Sequence, residues 1–230
     1  MGLLRYWYDF LFILFPKTCG ACENVLIHQE EYICTTCSYH LPFTDFHQFP
    51  TNPSAKKFWG KIEFEQAVSM FYLTKSSLVE TLIHNIKYNN RPELAYFLGQ
   101  KYGRILKKSD FSDGIDLIVP IPLHSKKLKI RGYNQSLHFA NGLAESMEIP
   151  CDDSLLKRKI NTVSQTRKDR LERFENVELI FECNLSSKIT AKHILLVDDV
   201  LTTGATLCSA ASCLMEAMKC KISFATIAKA

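Results

Sequence analysis

The chain has 230 residues, 47% of them hydrophobic and 23% charged, which excludes a disordered protein and suits one medium domain with at most a small added module. A formal net charge of +4 allows a polyanionic ligand but is too small to demand one. Nine cysteines, an odd number, argue against a secreted disulfide framework and for a reducing, cytoplasmic setting.

The chain opens MGLLRYWYDFLFILFP. Its apolar stretch, Tyr6 to Phe15, is interrupted by Asp9 and falls short of the about 20 residues that span a bilayer, so no transmembrane segment is expected. Pro16-Lys17-Thr18-Cys19 follows where a signal peptide has small residues. The first expectation is an amphipathic helix packed on the rest of the protein; contact with the inner face of a membrane is the second and a signal peptide the third.

Cys19, Cys22, Cys34 and Cys37 form two C-x₂-C pairs separated by eleven residues. Two such knuckles can place four thiolates around a tetrahedral Zn²⁺. Four protein ligands leave no open position, so the zinc would be structural and would supply folding energy to a module with little core of its own. His28 and His40 lie near enough to substitute as ligands. The division expected is a helix and zinc module over residues 1–55 and a larger domain over 56–230.

Residues 42–60 carry three prolines and no period, and read as a linker or extended connection. A strand is expected in FEQAVSMFYL from Phe64. Helices follow at 78–88, with Leu78, Leu82, Ile83 and Ile86 on one face, and at 93–106, with Leu94, Phe97, Leu98, Lys101 and Ile105 inward. DLIVPIPL at 116–123 is a buried strand closed by prolines. A helix over 136–147 turns Leu137, Ala140, Leu143, Ala144 and Met147 inward. A strand at 193–199, a helix at 207–218 and a closing strand at 221–230 complete the series. Strands alternating with helices predict βαβ units and a parallel sheet, and the continuous apolar runs at 116–119 and 194–197 fit strands covered on both faces.

The stretch ILLVDDVLTTGAT, from Ile194 to Thr206, carries the chemistry. Thr202, Thr203, Gly204, Ala205 and Thr206 precede a helix, where backbone N–H groups and hydroxyls can bind a phosphate. Asp198 and Asp199 accept hydrogen bonds but donate none when ionised, so they suit a pair of sugar hydroxyls or a Mg²⁺ shell. In a regular strand they would point to opposite faces; acting together requires that the strand has already turned into the loop. The plainer alternative is a helix cap and turn.

This stretch resembles the phosphoribosyl pyrophosphate signature of type I phosphoribosyltransferases. The four cysteines ahead of it, PIPLHSKKLKIRGYNQS from Pro120, IKYNNRPELA at 86–95 and SQTRKDRLERFENVELIF at 164–181 are similar to the ComF family over nearly the whole chain. The resemblance implies an α/β fold with the parallel sheet of type I phosphoribosyltransferases behind a small N-terminal zinc module. It implies that Asp198 and Asp199 hold the ribose 2′- and 3′-hydroxyls, with Val200 beside them, and that Thr202 to Thr206 wrap the 5′-phosphate. It puts Pro120-Ile121-Pro122 at the pyrophosphate loop, where backbone N–H groups would face the pyrophosphate and proline would fix the backbone, through an unusual peptide geometry or as a plain strand terminator. It adds Lys87, Arg131, Asn134 and Gln135 to the site, and gives weight to Gln165, Arg173 and Asn176. Asp198, Asp199 and Arg131 are the catalytic candidates. One departure is EAMKCK at 216–221, where a glycine is expected between helix and last strand.

Lys126, Lys127 and Lys129 beside Arg131 either neutralise a pyrophosphate or form a solvated basic face. Residues 157–173 carry a second basic stripe without an aromatic residue, suited to nucleic-acid phosphates or to a solvated loop. The implied reaction is attack of an acceptor on the ribose C1 of phosphoribosyl pyrophosphate bound with Mg²⁺, releasing pyrophosphate; no His or Glu lies within 194–206 as a general base. The alternatives are a non-catalytic ligand sensor that handles single-stranded DNA in DNA uptake and natural transformation, and a scaffold for other competence proteins.

Overall fold

The computed structural model describes residues 15–27, 29–159, 180–184 and 191–230. The expected N-terminal helix over 6–15, His28 as a ligand, and Gln165, Arg173 and Asn176 therefore lie, wholly or nearly so, outside the described residues.

Four strands form a parallel sheet: β1 (Ala67–Tyr72), β2 (Leu117–Pro120), β5 (His193–Leu201) and β6 (Lys221–Lys229), in the order β1-β6-β5-β2. The helices are α1 (Thr35–His40), α2 (Leu78–Tyr88), α3 (Pro92–Lys107), α4 (Ser125–Arg131), α5 (Gln135–Met147) and α6 (Ala205–Met218). β3 (Leu156–Arg158) and β4 (Phe181–Cys183) make a separate antiparallel pair. The hydrogen bond from Lys159 N to Ile180 O, 2.9 Å, extends that ladder by one step.

The central strands are apolar throughout because both their faces are covered. Leu195 and Val197 of β5 pack with α2, α3, α5 and the cysteine module, whereas Ile194 and Leu196 pack with α6, Phe181 and the segment around Phe58. Residues 42–60 are bound to the edge of β1. Thr44 N donates to Met70 O at 3.0 Å and Tyr72 N to Pro42 O at 3.1 Å. Buried Asn52 donates to the carbonyls of Phe46, Phe49 and Ala67 and accepts from the amides of Ser54 and Ala55. A buried hydroxyl chain, Ser54 to Ser69 (2.8 Å) to Thr226 (2.7 Å), crosses from this segment through β1 to β6.

One expected helix face is rotated and a second is widened. In α3 the buried residues are Leu94, Ala95, Leu98, Gly99, Tyr102, Gly103 and Leu106, while Ile105 is exposed. In α5 Ala140, Leu143 and Met147 are buried as expected, but Phe139 and Gly142 join them while Leu137 and Ala144 are only half-buried. The cause is backbone-to-backbone packing: a Cβ on Gly99 would sit 2.2 Å from Phe139 O, and one on Gly142 2.1 Å from Tyr96 O. A period of large apolar residues does not register an interface made by glycines. At the end of α6 the position where glycine was expected is Lys219, which itself adopts the left-handed conformation (φ 52°) and donates its N–H to Met215 O.

Candidate functional site

The site gathers at the C-terminal ends of β2 and β5. β5 remains paired with β6 through Leu201 opposite Lys229, so Asp198 and Asp199 lie within the strand and not in a loop. They are brought together from outside it. Lys87 Nζ from α2 lies 3.0 Å from Asp199 Oδ2, and both side chains are mostly buried. Ser136 Oγ from the first turn of α5 donates to Asp198 Oδ1 at 2.9 Å, and the Asp199 N–H donates to the same oxygen at 2.8 Å. α2 and α5 contribute to one core cluster, so both carboxylates are gripped from the same layer. Burial pushes the Asp198 carboxyl up to about 7, and the charge of Asp199 adds to this; the Asp199 N–H, Ser136 and Lys87 oppose it without cancelling it.

Beyond β5 the chain runs through exposed Thr202 and Thr203 to Gly204, then Ala205 opens α6. Gly204 has φ 80°, and a Cβ there would meet Phe58 Cε1 at 3.1 Å. Lys61 Nζ donates to Thr203 O at 3.0 Å, and Thr203 Oγ1 accepts from Ala205 N at 3.4 Å. The first-turn amides of α6 have no intrahelical acceptor and point the helix dipole's positive end toward this loop. Val200 and Thr206 are half-buried beside it.

Pro120-Ile121-Pro122 differs from the expectation in two ways. The described residues contain no cis peptide bond, so the prolines act without unusual peptide geometry. The tripeptide has a single N–H, on Ile121, and it donates to Val197 O at 2.8 Å; backbone donors for an anion must come from Leu123 onward. Asn134 ties this loop to α5, its Nδ2 donating to Ile121 O at 3.0 Å while its Oδ1 caps the helix by accepting from Ser136 N. Gln135 is buried and accepts from Arg131 Nη1 at 3.0 Å. Asn134 and Gln135 thus stand behind the site as struts. Arg131 also lies with its guanidinium carbon 5.1 Å from the centre of the Tyr88 ring.

A cleft of about 320 Å³, lined by Lys87, Tyr88, Asn90, Lys129, Ile130, Arg131 and Gly132, opens between α2 and α4. α4 has no buried residue; Lys126, Lys127 and Lys129 are exposed, as are Leu128 and Ile130. Of the second basic stripe only Lys157, Arg158 and Lys159 are described.

The four cysteines form a separate cluster. Their sulfurs lie within 4.8 Å of one another, and Cys22 and Cys34 are 3.8 Å apart, the edge of about 3.8 Å that a tetrahedron with Zn–S near 2.3 Å requires. Amides of Ala21 and Cys34 donate to Cys19 Sγ and that of Cys37 to Cys34 Sγ. Burial pushes the Cys19 thiol up, but backbone N–H groups outweigh it and bring it down to about 7. A thiolate held by amides at these spacings fits a tetrahedral metal ion. His40 Nδ1 pairs instead with Thr36 O, at 2.8 Å.

Several participants were not singled out from sequence: Ser136, Lys61 and Phe58. Ser136 lies inside a segment already quoted, next to residues that were chosen, whereas Tyr88 belongs to the Lys-Tyr pair on which the resemblance at 86–95 rests. Lys61 and Phe58 lie in a proline-bearing stretch without period, where no local signal shows that it packs under the loop.

The phosphoribosyl transferase domain family matches residues 134–230, a span that takes in the carboxylates and the threonine loop. The chain is 28% identical over 215 residues to competence protein ComFC of Bacillus subtilis (strain 168), covering 90% of this chain and 82% of that protein. It is 26% identical over 201 residues to DNA utilization protein YhgH of Salmonella typhimurium, covering 86% and 84%. Over a shorter span of 93 residues it is 32% identical to competence protein F of Haemophilus influenzae, covering 40% and 41%.

Proposed function

The chain belongs to the ComF family, and from that premise we propose that its phosphoribosyltransferase-like domain binds phosphoribosyl pyrophosphate with Mg²⁺. The observation that carries this reading is the clamped carboxylate pair, Asp198 and Asp199, beside the Gly204 turn and the N-terminus of α6. The carboxylates hold the ribose diol. The hydroxyls of Thr202, Thr203 and Thr206 and the first-turn amides of α6 hold the 5′-phosphate. Arg131 and Lys129 in the cleft and the amides from Leu123 onward face the pyrophosphate. Asp198 and Asp199 would hold Mg²⁺ together with the ligand, and the ion would supply charge neutralisation for the leaving pyrophosphate. Zinc in the four-cysteine module is structural, because all four ligand positions are protein sulfurs.

Calorimetry of the full chain with phosphoribosyl pyrophosphate, with and without Mg²⁺, tests the reading. Binding lost in Asp199→Ala supports it; equal binding by that variant and by the parent overturns it. Pyrophosphate release screened over nucleobases and nucleotides then separates an enzyme from a sensor.

The relatives' names connect the reading to competence and DNA utilization, and a second role in handling single-stranded DNA at the cytoplasmic end of DNA uptake has one favourable observation. α4 presents three exposed lysines together with exposed Leu128 and Ile130. Replacing Lys126, Lys127 and Lys129 by Ala would lower DNA affinity and flatten its salt dependence. An unchanged salt slope would dismiss α4 as the DNA face.

A further inference from the structure

The four-cysteine module and the carboxylate pair meet the same helix. Asn85 of α2 is buried, and its Nδ2 donates to Gly20 O at 2.9 Å, within the first knuckle between Cys19 and Cys22. The same amide lies 3.4 Å from Glu23 Oε1. Arg91 Nη2, just beyond α2, donates to Thr18 O at 3.0 Å. The knuckle backbone rests directly on the helices, since a Cβ on Gly20 would sit 2.6 Å from Leu94 Cδ2 and 3.3 Å from Leu82 Cδ2. Two residues after Asn85, Lys87 reaches Asp199. At 3.6 residues per turn, two residues is a rotation of about 200° and a rise of about 3 Å. One turn of α2 is therefore held on one side by the knuckle and on the other by the carboxylate site.

We propose that Asn85 is a positioning residue that couples the metal-bearing knuckle to Lys87, so that metal occupancy of the four-cysteine module sets the affinity of the phosphoribosyl ligand at Asp198 and Asp199. The proposal rests on the ligand reading above and extends it with a regulatory input. The metal fixes Cys19 and Cys22, and with them the carbonyl of Gly20. Without it the buried Asn85 amide loses its shorter hydrogen bond, to Gly20 O, the last turn of α2 is freed, and Lys87 no longer balances Asp199. Coupling of this kind is reciprocal: the ligand tightens the hold on the metal by the same factor.

The test uses the full chain with Mg²⁺ held constant. The affinity for phosphoribosyl pyrophosphate is measured before and after a zinc-selective chelator, in the parent and in Asn85→Ala, with zinc content determined in each. Zinc removal is expected to weaken binding roughly fivefold or more in the parent. Asn85→Ala with its zinc retained is expected to bind as weakly, and to lose little more on chelation. Val79→Ala, equally buried in α2, should lower Tm while leaving ligand affinity in place, which separates positioning from general loosening. Zinc-loaded Asn85→Ala binding like the parent, or a chelator effect of equal size in both, overturns the proposal. If the parent binds no phosphoribosyl pyrophosphate, the ligand reading fails first. Hydrogen exchange then decides the coupling: faster exchange at the α2 amides of residues 85–88 than in α6 on zinc removal supports it, and unchanged α2 exchange overturns it.

Discussion

Asp198 shows what the site costs the fold. Its carboxyl is pushed up to about 7 by burial and by Asp199, whereas in an unfolded chain it would ionise near 4. The native state therefore holds this proton where the unfolded state has lost it, and the stability contributed here falls as pH rises from about 4 through about 7. Asp198→Asn keeps an oxygen for Ser136 and for the Asp199 N–H without the charge. Its gain in urea resistance over the parent should be greater at pH 8 than at pH 5, while its ligand affinity falls. A gain independent of pH would show that the charge is already compensated. Gly204 is the other residue with no substitute. Ala there must hold φ near 80° and press on Phe58, which should reduce stability by about 1 kcal/mol or more and weaken binding, read by Tm and by calorimetry. At this scale the residue types of the loop and the carboxylate pair were legible, because they are contiguous. Ser136 and Lys87 were not legible as partners, since their meeting with Asp198 and Asp199 is made by tertiary packing.

Among elements, α3 and α5 are the closest pair. The backbone contact at Gly99 and Gly142 leaves no room for a methyl group, so Gly142→Ala should destabilise the fold by about 1–3 kcal/mol as an overpacking change. It should also weaken ligand binding, because α5 carries Ser136. Chemical denaturation and calorimetry on one variant check both. The end of α6 offers the opposite change. Lys219 sits at φ 52°, and Lys219→Gly should raise stability by about 1 kcal/mol in urea titration. The departure noticed at EAMKCK is thus a residue bearing mild strain in the expected geometry. Strands and helices were legible from periodicity because the sheet is covered on both sides. The rotated face of α3 and the Gly142 contact of α5 were not, since glycines carry no hydropathy signal. Neither was the continuation of β5 past Asp199, since polar residues at a strand end look like a loop until the partner strand is known.

For the molecule as a whole, the four-cysteine module shares a core cluster with the sheet: Cys19, Leu26 and Leu41 pack in the same group as Leu82, Leu94 and Val197. Cys34→Ser should therefore lower zinc content and Tm together, in a single transition by calorimetric scanning; two separate transitions would show a module that melts on its own. The module was legible from its cysteine spacing alone, but its seat on α2 and α3 was not, because Asn85 and Arg91 are single polar residues without local pattern. Among the described residues no helix is long and apolar enough to cross a membrane.

The hydrogen bond between Lys159 and Ile180 brings together the two points where the chain leaves and re-enters the β3–β4 ladder. Joining Lys159 to Ile180 through a short turn therefore needs no long bridge, and a variant so shortened is expected to keep the β3–β4 ladder with the closure entropy changed by only roughly 1 kcal/mol. A Tm close to the parent's checks this, and DNA affinity measured on the same variant shows whether the basic residues removed contribute to it.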